Sequence, residues 1–438
     1  MTNLGVYSSV CEIIEKSKIA YKSYREFGLA NREKIIENIR RTLSNYTDKL
    51  AEMSFSEINM GKLDDKKEKI RLSIEKTPGT EDLVSEVYTK DRVMTLYEYS
   101  PYGVSAALLP STNPVATVIN NVIGMIAAGN SVVLCPHPRA IEVTKFLTGL
   151  LNKIIIESSG IENLVTCLDD LSIKNINELM NHPELDLLVV TGGSYIAKEA
   201  YKCNKKVISA GPANPTFIVD ETADIDDAAR KIVKGASFDN NILCVTEKNI
   251  VVVDPIYEKL KKSLISQGCF YIDNVVDMLK LTKVVLTEDF KINKFFGGKS
   301  VGEILNYAGI KNDGDYKLIA VDVPKIHPLA TEEQLMPILS VIRESDFDEA
   351  LNTAILLEQG LYHTAGIHSN SIRRMNIAAK ELKTCIFVKN GSSLDGIGFS
   401  DDNPVSFTIA NKTGEGSTST RNFAIKRRCV LVDGFSIR

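Results

Sequence analysis

Phe238-Asp239-Asn240-Asn241-Ile242-Leu243-Cys244 ends on a thiol, and the β-rich run Asn249-Ile250-Val251-Val252-Val253 follows almost at once. A cysteine on a loop just ahead of a buried strand is a candidate nucleophile, because a thiolate forms thioesters readily and nearby amides can hold a developing oxyanion. Cys244 is therefore the first catalytic candidate. The chain has eight cysteines, and a buried structural thiol is the competing reading.

Pro110-Ser111-Thr112-Asn113-Pro114 lies about 130 residues upstream, after the apolar run Val104 to Leu109. From Val104, strand patterns (104–109, 131–134, 164–167, 185–190, 206–209) alternate with helical ones (116–128, 141–156, 173–180, 195–201), and Gly129-Asn130 stops the first of these helices. Continuous apolar strands separated by helices predict a parallel sheet covered on both faces, with ligands at the carboxyl ends of its strands. A second alternating unit starts at Thr216-Phe217-Ile218-Val219-Asp220, and Arg428-Cys429-Val430-Leu431-Val432 reads as a closing strand. The first 80 residues carry helical periodicity, and the run from Lys62 to Lys69 reads as a solvated helix face.

At 438 residues the chain exceeds one hydrophobic core, so two domains are expected. With 44% hydrophobic residues, 25% charged and a net charge of −4, nothing makes an electrostatic case for nucleic acid. No apolar stretch reaches the roughly 20 residues of a membrane span, and Met1-Thr2-Asn3-Leu4-Gly5 lacks a signal pattern, so an intracellular location is expected. The cysteines show no paired or metal-like spacing, and the histidines form nothing beyond a weak His363/His368 pair; no metal site is expected. Leu187-Leu188-Val189-Val190-Thr191-Gly192-Gly193-Ser194 is a strand opening into a Gly-rich turn that permits close approach of a pyrophosphate, although a tight structural turn explains it equally well.

The pairing of Pro-x-x-Asn-Pro with Phe-x-Asn-x-x-x-Cys resembles the aldehyde dehydrogenase superfamily. The segments Thr117 to Asn121, Ala127 to Ser131, Ser237 to Cys244, Phe387 to Gly391 and Arg427-Arg428-Cys429 are similar to its CoA-acylating branch, the propionaldehyde and acetaldehyde dehydrogenases. The resemblance runs over nearly the whole chain. It implies an α/β aldehyde dehydrogenase-like fold of two Rossmann-like domains with a small oligomerisation arm. Residues 1–211 would bind nucleotide and include the arm at about 84–103, residues 212–404 would carry the catalytic thiol, and 405–438 would return as an oligomerisation strand. The first boundary, near Gly211-Pro212, rests on the pattern change and on the resemblance.

The implied activity is reversible, NAD-dependent oxidation of a short-chain aldehyde with transfer of the acyl group to coenzyme A. Cys244 would be the nucleophile, with Asn113 and the Cys244 amide holding the oxyanion. Pro110, Ser111, Thr112, His137, Thr191, Gly192, Gly193, Glu333 and Leu335 would line the cofactor site, with Glu333 gripping the nicotinamide ribose through two hydrogen bonds. The chain departs from the hydrolytic relatives at Ser209-Ala210-Gly211-Pro212-Ala213, where they begin with the glutamate that activates water. A missing general base costs roughly 10²- to 10⁴-fold, so a thiol is expected to finish the reaction. At Cys135-Pro136-His137-Pro138 many relatives have Lys-Pro-x-Glu, and NAD is favoured over NADP by resemblance alone. Phe399-Ser400-Asp401-Asp402-Asn403 replaces a Gly-rich stretch and leaves the aldehyde open among acetaldehyde, propanal and butanal.

A homodimer or dimer of dimers is expected, with a microcompartment shell or an alcohol dehydrogenase as further partners. Relatives from bacterial microcompartments begin with a targeting helix, whereas Gly5-Val6-Tyr7 comes almost at once here, so the expected place is the cytosol or, with that helix removed, the microcompartment. A hydrolytic or phosphorylating enzyme of the same fold and an inactive scaffold protein are the alternatives.

Overall fold

The structure, a computed structural model, describes residues 4–400, 403–434, 436 and 437; Met1 to Asn3 and the Asp401-Asp402 pair of the divergent stretch lie outside the described residues. After a short strand β1 (Val6–Tyr7), the helical periodicity of the first 80 residues becomes α1 (Val10–Tyr24), α2 (Leu29–Ser44), α3 (Thr47–Ile58) and α4 (Leu63–Lys76). An antiparallel ribbon follows, β2 (Glu86–Lys90) and β3 (Val93–Pro101).

The apolar runs then build one sheet. Strands β4 (Val104–Leu108), β5 (Ser131–Cys135), β6 (Val165–Leu168), β7 (Leu187–Thr191) and β8 (Lys206–Ala210) pair in parallel in the order β1-β6-β5-β4-β7-β8. Every residue of β4 to β7 is buried, the burial that unalternated apolar strands require. The helix α5 (Pro114–Ala127) links β4 to β5, and its end is explicit: Gly129 has φ 97°, and the Asn130 side chain accepts from the Tyr102 and Gly103 amides while donating to the Met125 and Phe423 carbonyls.

A second parallel sheet holds β9 (Thr216–Val219), β10 (Asn249–Val253), β11 (Cys269–Ile272), β12 (Leu318–Asp322), β13 (Ile338–Glu344), β14 (Thr364–His368) and β15 (Ile386–Lys389) in the order β11-β12-β13-β10-β9-β14-β15. A two-residue hairpin, β16 (Ile409–Ala410) with β17 (Gly416–Ser417), precedes β18 (Ala424–Val432), which pairs with β3 along nine residues from Ala424–Pro101 to Val432–Val93. The chain end thus returns to the ribbon. No helix among the described residues is long and apolar enough to cross a membrane.

One expectation is overturned. The Lys62–Lys69 run does lie at the start of a helix, but Lys66 and Lys69 are only 3% and 2% exposed. Their ammonium groups turn inward onto Asp239, a fully buried carboxylate in the nucleophile loop, so the charge pattern that reads as a wet face serves a buried ion cluster.

Candidate active site

Chain order around β4 creates a crevice: from β4 the chain builds outward through β5 and β6, then crosses to β7 and β8 on the other side. Ligands of open α/β sheets sit at such a reversal, beyond the carboxyl ends of the strands. The loops leaving adjacent strands β4, β5 and β7 there carry Pro110 to Asn113, His137, and Thr191 to Gly193. His137 is half-buried, its Nδ1 accepting from the Arg139 amide at 3.1 Å, and burial followed by the Arg139 charge lowers its pKa. The Thr191 hydroxyl is 2.9 Å from that of Thr408, so it is engaged within the protein. Gly193 has no positive φ, and a Cβ there would meet nothing within 4 Å. Neither backbone strain nor packing demands glycine at position 193, whereas a Cβ at Gly192 would meet Ile196 Cγ2 at 3.0 Å; the open space at Gly193 suits a dinucleotide phosphate, which needs close backbone approach. These residues fit the cofactor that the resemblance implies.

The thiol comes from the second unit. The helix Ile225–Ser237 ends at Phe238, and Asp239, Asn240 and Asn241 then take φ values of 46°, 51° and 61°. Asp and Asn tolerate the left-handed region best among residues with a side chain, yet each such residue stores some strain, of order 1–3 kcal/mol. Each is tied down. Asp239 accepts from the Lys62 amide at 2.6 Å and from Lys66 and Lys69; Asn240 donates to the Gly298 carbonyl at 2.9 Å; Asn241 donates to the Glu247 carbonyl at 3.0 Å and accepts from Thr246 at 2.6 Å. The loop that delivers Cys244 is thereby over-determined.

Lys248 completes it. Its ammonium is fully buried and donates to the Asn241 carbonyl and side chain, to the Leu243 carbonyl at 3.1 Å and to Thr246 at 3.3 Å. Burial pushes the half-buried Cys244 thiol up to about 12, the nearby Glu333 carboxylate adds to the rise, and the Lys248 charge opposes it. Burial also raises the Glu333 carboxyl, against the pull of Lys248 and the Ala213 amide, and lowers Lys248, against the pull of Glu333 and Cys244. Glu333, Lys248 and Cys244 are thus one electrostatic unit, with Leu335 half-buried two residues beyond Glu333 and its carbonyl accepting from Gly298. Beside Lys248, Glu247 is buried and raised to about 7, while the Ser393 amide and hydroxyl donate to it.

Asn113 precedes α5 at the N-cap position, where an asparagine side chain ordinarily caps its own helix. It makes no such bond. Its Oδ1 instead accepts from Lys69 Nζ at 2.5 Å, leaving Nδ2 with only a 3.3 Å contact to Thr112 Oγ1. Ser209 is fully buried on β8 with an unpartnered hydroxyl, and the Ala213 amide, at the far end of the same segment, is what reaches Glu333. His363 is buried and held neutral by burial and then by Lys248; no group of three metal-ligating side chains occurs among the described residues.

Sequence reasoning named Cys244, Asn113 and Glu333 but gave Lys69, Lys248 and Asp239 no role. The Asp-Asn-Asn run, three residues suited to positive φ, was the available signal for the strained loop. Nothing local distinguishes Lys69 from a surface lysine.

The aldehyde dehydrogenase family profile matches residues 4–268. The propanal dehydrogenase (CoA-propanoylating) of Salmonella typhimurium is 43% identical over 435 residues, covering 99% of this chain and 93% of its own. Among solved structures, a Rhodopseudomonas palustris propionaldehyde dehydrogenase with bound CoA and an acylated cysteine superposes with a TM-score of 0.96 at 40% identity, covering 99% of both chains. A propionaldehyde dehydrogenase from the fucose utilisation microcompartment of Clostridium phytofermentans gives 0.96 at 38% identity, covering 99% of this chain and 100% of that one. With a thiol on an over-determined loop, an asparagine amide free of its helix cap and likeness along the whole chain, the protein belongs to the aldehyde dehydrogenase family and groups there with the CoA-acylating enzymes.

Proposed function

We propose that the protein oxidises a short-chain aldehyde, with propanal the leading candidate, to its acyl-CoA: aldehyde + CoA + NAD⁺ gives acyl-CoA + NADH + H⁺, reversibly. The observation that carries this reading is the placement of Cys244, alone among the cysteines, at the end of the pinned left-handed loop beside Lys248 and Glu333. The thiolate attacks the aldehyde carbon, and the oxygen gains charge that the Asn113 Nδ2–H and the Cys244 amide are suited to hold. The loops bearing Pro110, Ser111, Thr112, His137 and Thr191 to Gly193, at the carboxyl ends of β4, β5 and β7, would hold NAD, which would supply the hydride acceptor. Loss of hydride from the former aldehyde carbon leaves a Cys244 thioester. Glu333, whose carboxylate bears on the thiol, and Leu335, two residues beyond it, are, as in the family, assigned to the nicotinamide end.

Deacylation is by the CoA thiol: its sulfur bonds to the acyl carbon, the Cys244 C–S bond breaks and the enzyme thiol regains a proton. The thioester exchange is close to thermoneutral. Ser209 supplies no carboxylate for a water route. Glu333 favours the rival hydrolytic reading, because a carboxyl raised by burial beside the thiol has the character of a general base. The division of labour we adopt places nucleotide binding in residues 1–211, the thiol in 212–404 and a return strand in 405–438.

The ribbon of β2, β3 and β18 carries Val87, Tyr88, Val430, Leu431 and Val432, all exposed. Apolar side chains on an open-edged sheet support pairing with a second copy, as a homodimer or dimer of dimers. The relative from a microcompartment supports a place inside such a shell, with shell protein or an alcohol dehydrogenase as neighbours.

Three measurements check this reading. Cys244→Ser should abolish acyl-CoA formation from propanal, acetaldehyde and butanal while NAD still raises the melting temperature; retained turnover would move the nucleophile elsewhere. Because the ligand-free thiol is raised to about 12, its thiolate fraction should climb about tenfold per pH unit. Iodoacetamide alkylation of Cys244, followed by peptide mass spectrometry, should therefore rise from pH 7 to 10 without levelling, and a plateau below pH 8 would contradict the burial argument. Light scattering at micromolar concentration should give a mass of at least two chains; a uniform species of 48.3 kDa excludes the assembly.

A further inference from the structure

An asparagine amide stabilises an oxyanion through one end only. With Nδ2 toward the substrate oxygen it donates; turned by 180°, it presents Oδ1 and repels the same charge. Something must therefore fix the orientation of Asn113, whose side chain is not held by a cap to its own helix.

We infer that Lys69 is the positioning residue that sets the Asn113 amide for catalysis and ties it to the nucleophile loop. Lys69 is 2% exposed and its Nζ bonds both Asn113 Oδ1 and Asp239 Oδ2. An ammonium has three donors and no acceptor, so it pairs with Oδ1 and rejects Nδ2; the donor end of the amide is forced to the other side. The charge also polarises the amide and strengthens Nδ2–H as a donor.

Asp239 supplies the counter-charge. It is fully buried, accepts from the Lys62 amide at 2.6 Å, and lies 3.4 Å from Lys66 Nζ. The Asp239 amide in turn donates to Asp65 at 2.7 Å. Asp239 stands five residues before Cys244 in the left-handed run. One ammonium thus spans the oxyanion donor at the start of α5 and the loop that carries the nucleophile. Lys66 shares Asp239 and the burial of Lys69 but does not touch Asn113. It separates a positioning role from mere neutralisation of a buried carboxylate.

The inference rests on the reading above, and the test keeps the two apart. Failure of the wild-type protein to make NADH from propanal, NAD⁺ and CoA sinks the functional reading; the fate of Lys69 is read in its variants. Lys69→Met should lower kcat by roughly 10²- to 10³-fold, the range for losing an oxyanion donor, with the KM for NAD⁺ changed by less than about twofold. In the Asn113→Ala background the same substitution should cost less than about threefold, because the group it positions is gone. Lys66→Met should lower the melting temperature comparably while costing at least about tenfold less in kcat than Lys69→Met. Crystal structures give a readout independent of turnover: Asn113 should leave its present pose in Lys69→Met and keep it in Lys66→Met. Losses that multiply across the Lys69–Asn113 pair, or an unmoved Asn113 in Lys69→Met, overturn the inference. Should Lys69→Met not fold, Lys69→Arg, still donor-only, should retain more kcat than Lys69→Gln, whose amide can present an acceptor; equal values overturn it as well.

Discussion

The buried carboxylate of Asp239 is the interaction on which the site depends. It gathers Lys66 and Lys69 of α4, and the Lys62 amide just ahead of that helix, around a loop whose three consecutive side-chain-bearing residues take positive φ. A lone buried charge would be prohibitively costly, and a strained loop without partners would relax. Together they stabilise each other: the lysines neutralise the carboxylate, and the carboxylate holds the backbone that presents Cys244. The fold contributes by packing α4 against α5, so that the element carrying the lysines also meets the element that Asn113 begins.

Much of the architecture was legible because burial leaves a mark on sequence. The unalternated runs around Ala106, Val133, Val189 and Val251 predict parallel strands covered on both faces, and they form them; Gly129-Asn130 predicts a helix end, and the φ of Gly129 and the four hydrogen bonds of Asn130 make it one. The strand order could not be read, since β7 lies beside β4 rather than β6 by a crossover that no local pattern encodes. β1, two residues long, is too short for any periodicity to show.

The site was legible where chemistry restricts residue type and illegible where it depends on charge pairing at a distance. Cys244, Asn113 and Glu333 stand out by type and motif. Lys66 and Lys69 lie in a run of mixed charge that normally marks a wet helix, and only the approach of Asp239, 170 residues away from Lys69, reveals their burial. Lys248 sits next to a strand whose apolar character says nothing of an ammonium stapling the loop behind it. Glu333, expected at the nicotinamide ribose, also bears on the thiol, which gives the site a carboxylate that the change at Ser209 had removed from the usual place.

That carboxylate decides how the central claim must be tested, because CoA and water are the two ways to clear the thioester. The most direct measurement mixes the wild-type protein with propanal and NAD⁺ in the absence of CoA and follows NADH against active-site concentration. If the thioester waits for a thiol, a burst of about one NADH per site is followed by a stall, and added CoA restores steady turnover with propanoyl-CoA as product. Sustained NADH production without CoA, with free propanoic acid accumulating, would contradict the account and transfer deacylation to water activated by another group, Glu333 first among them.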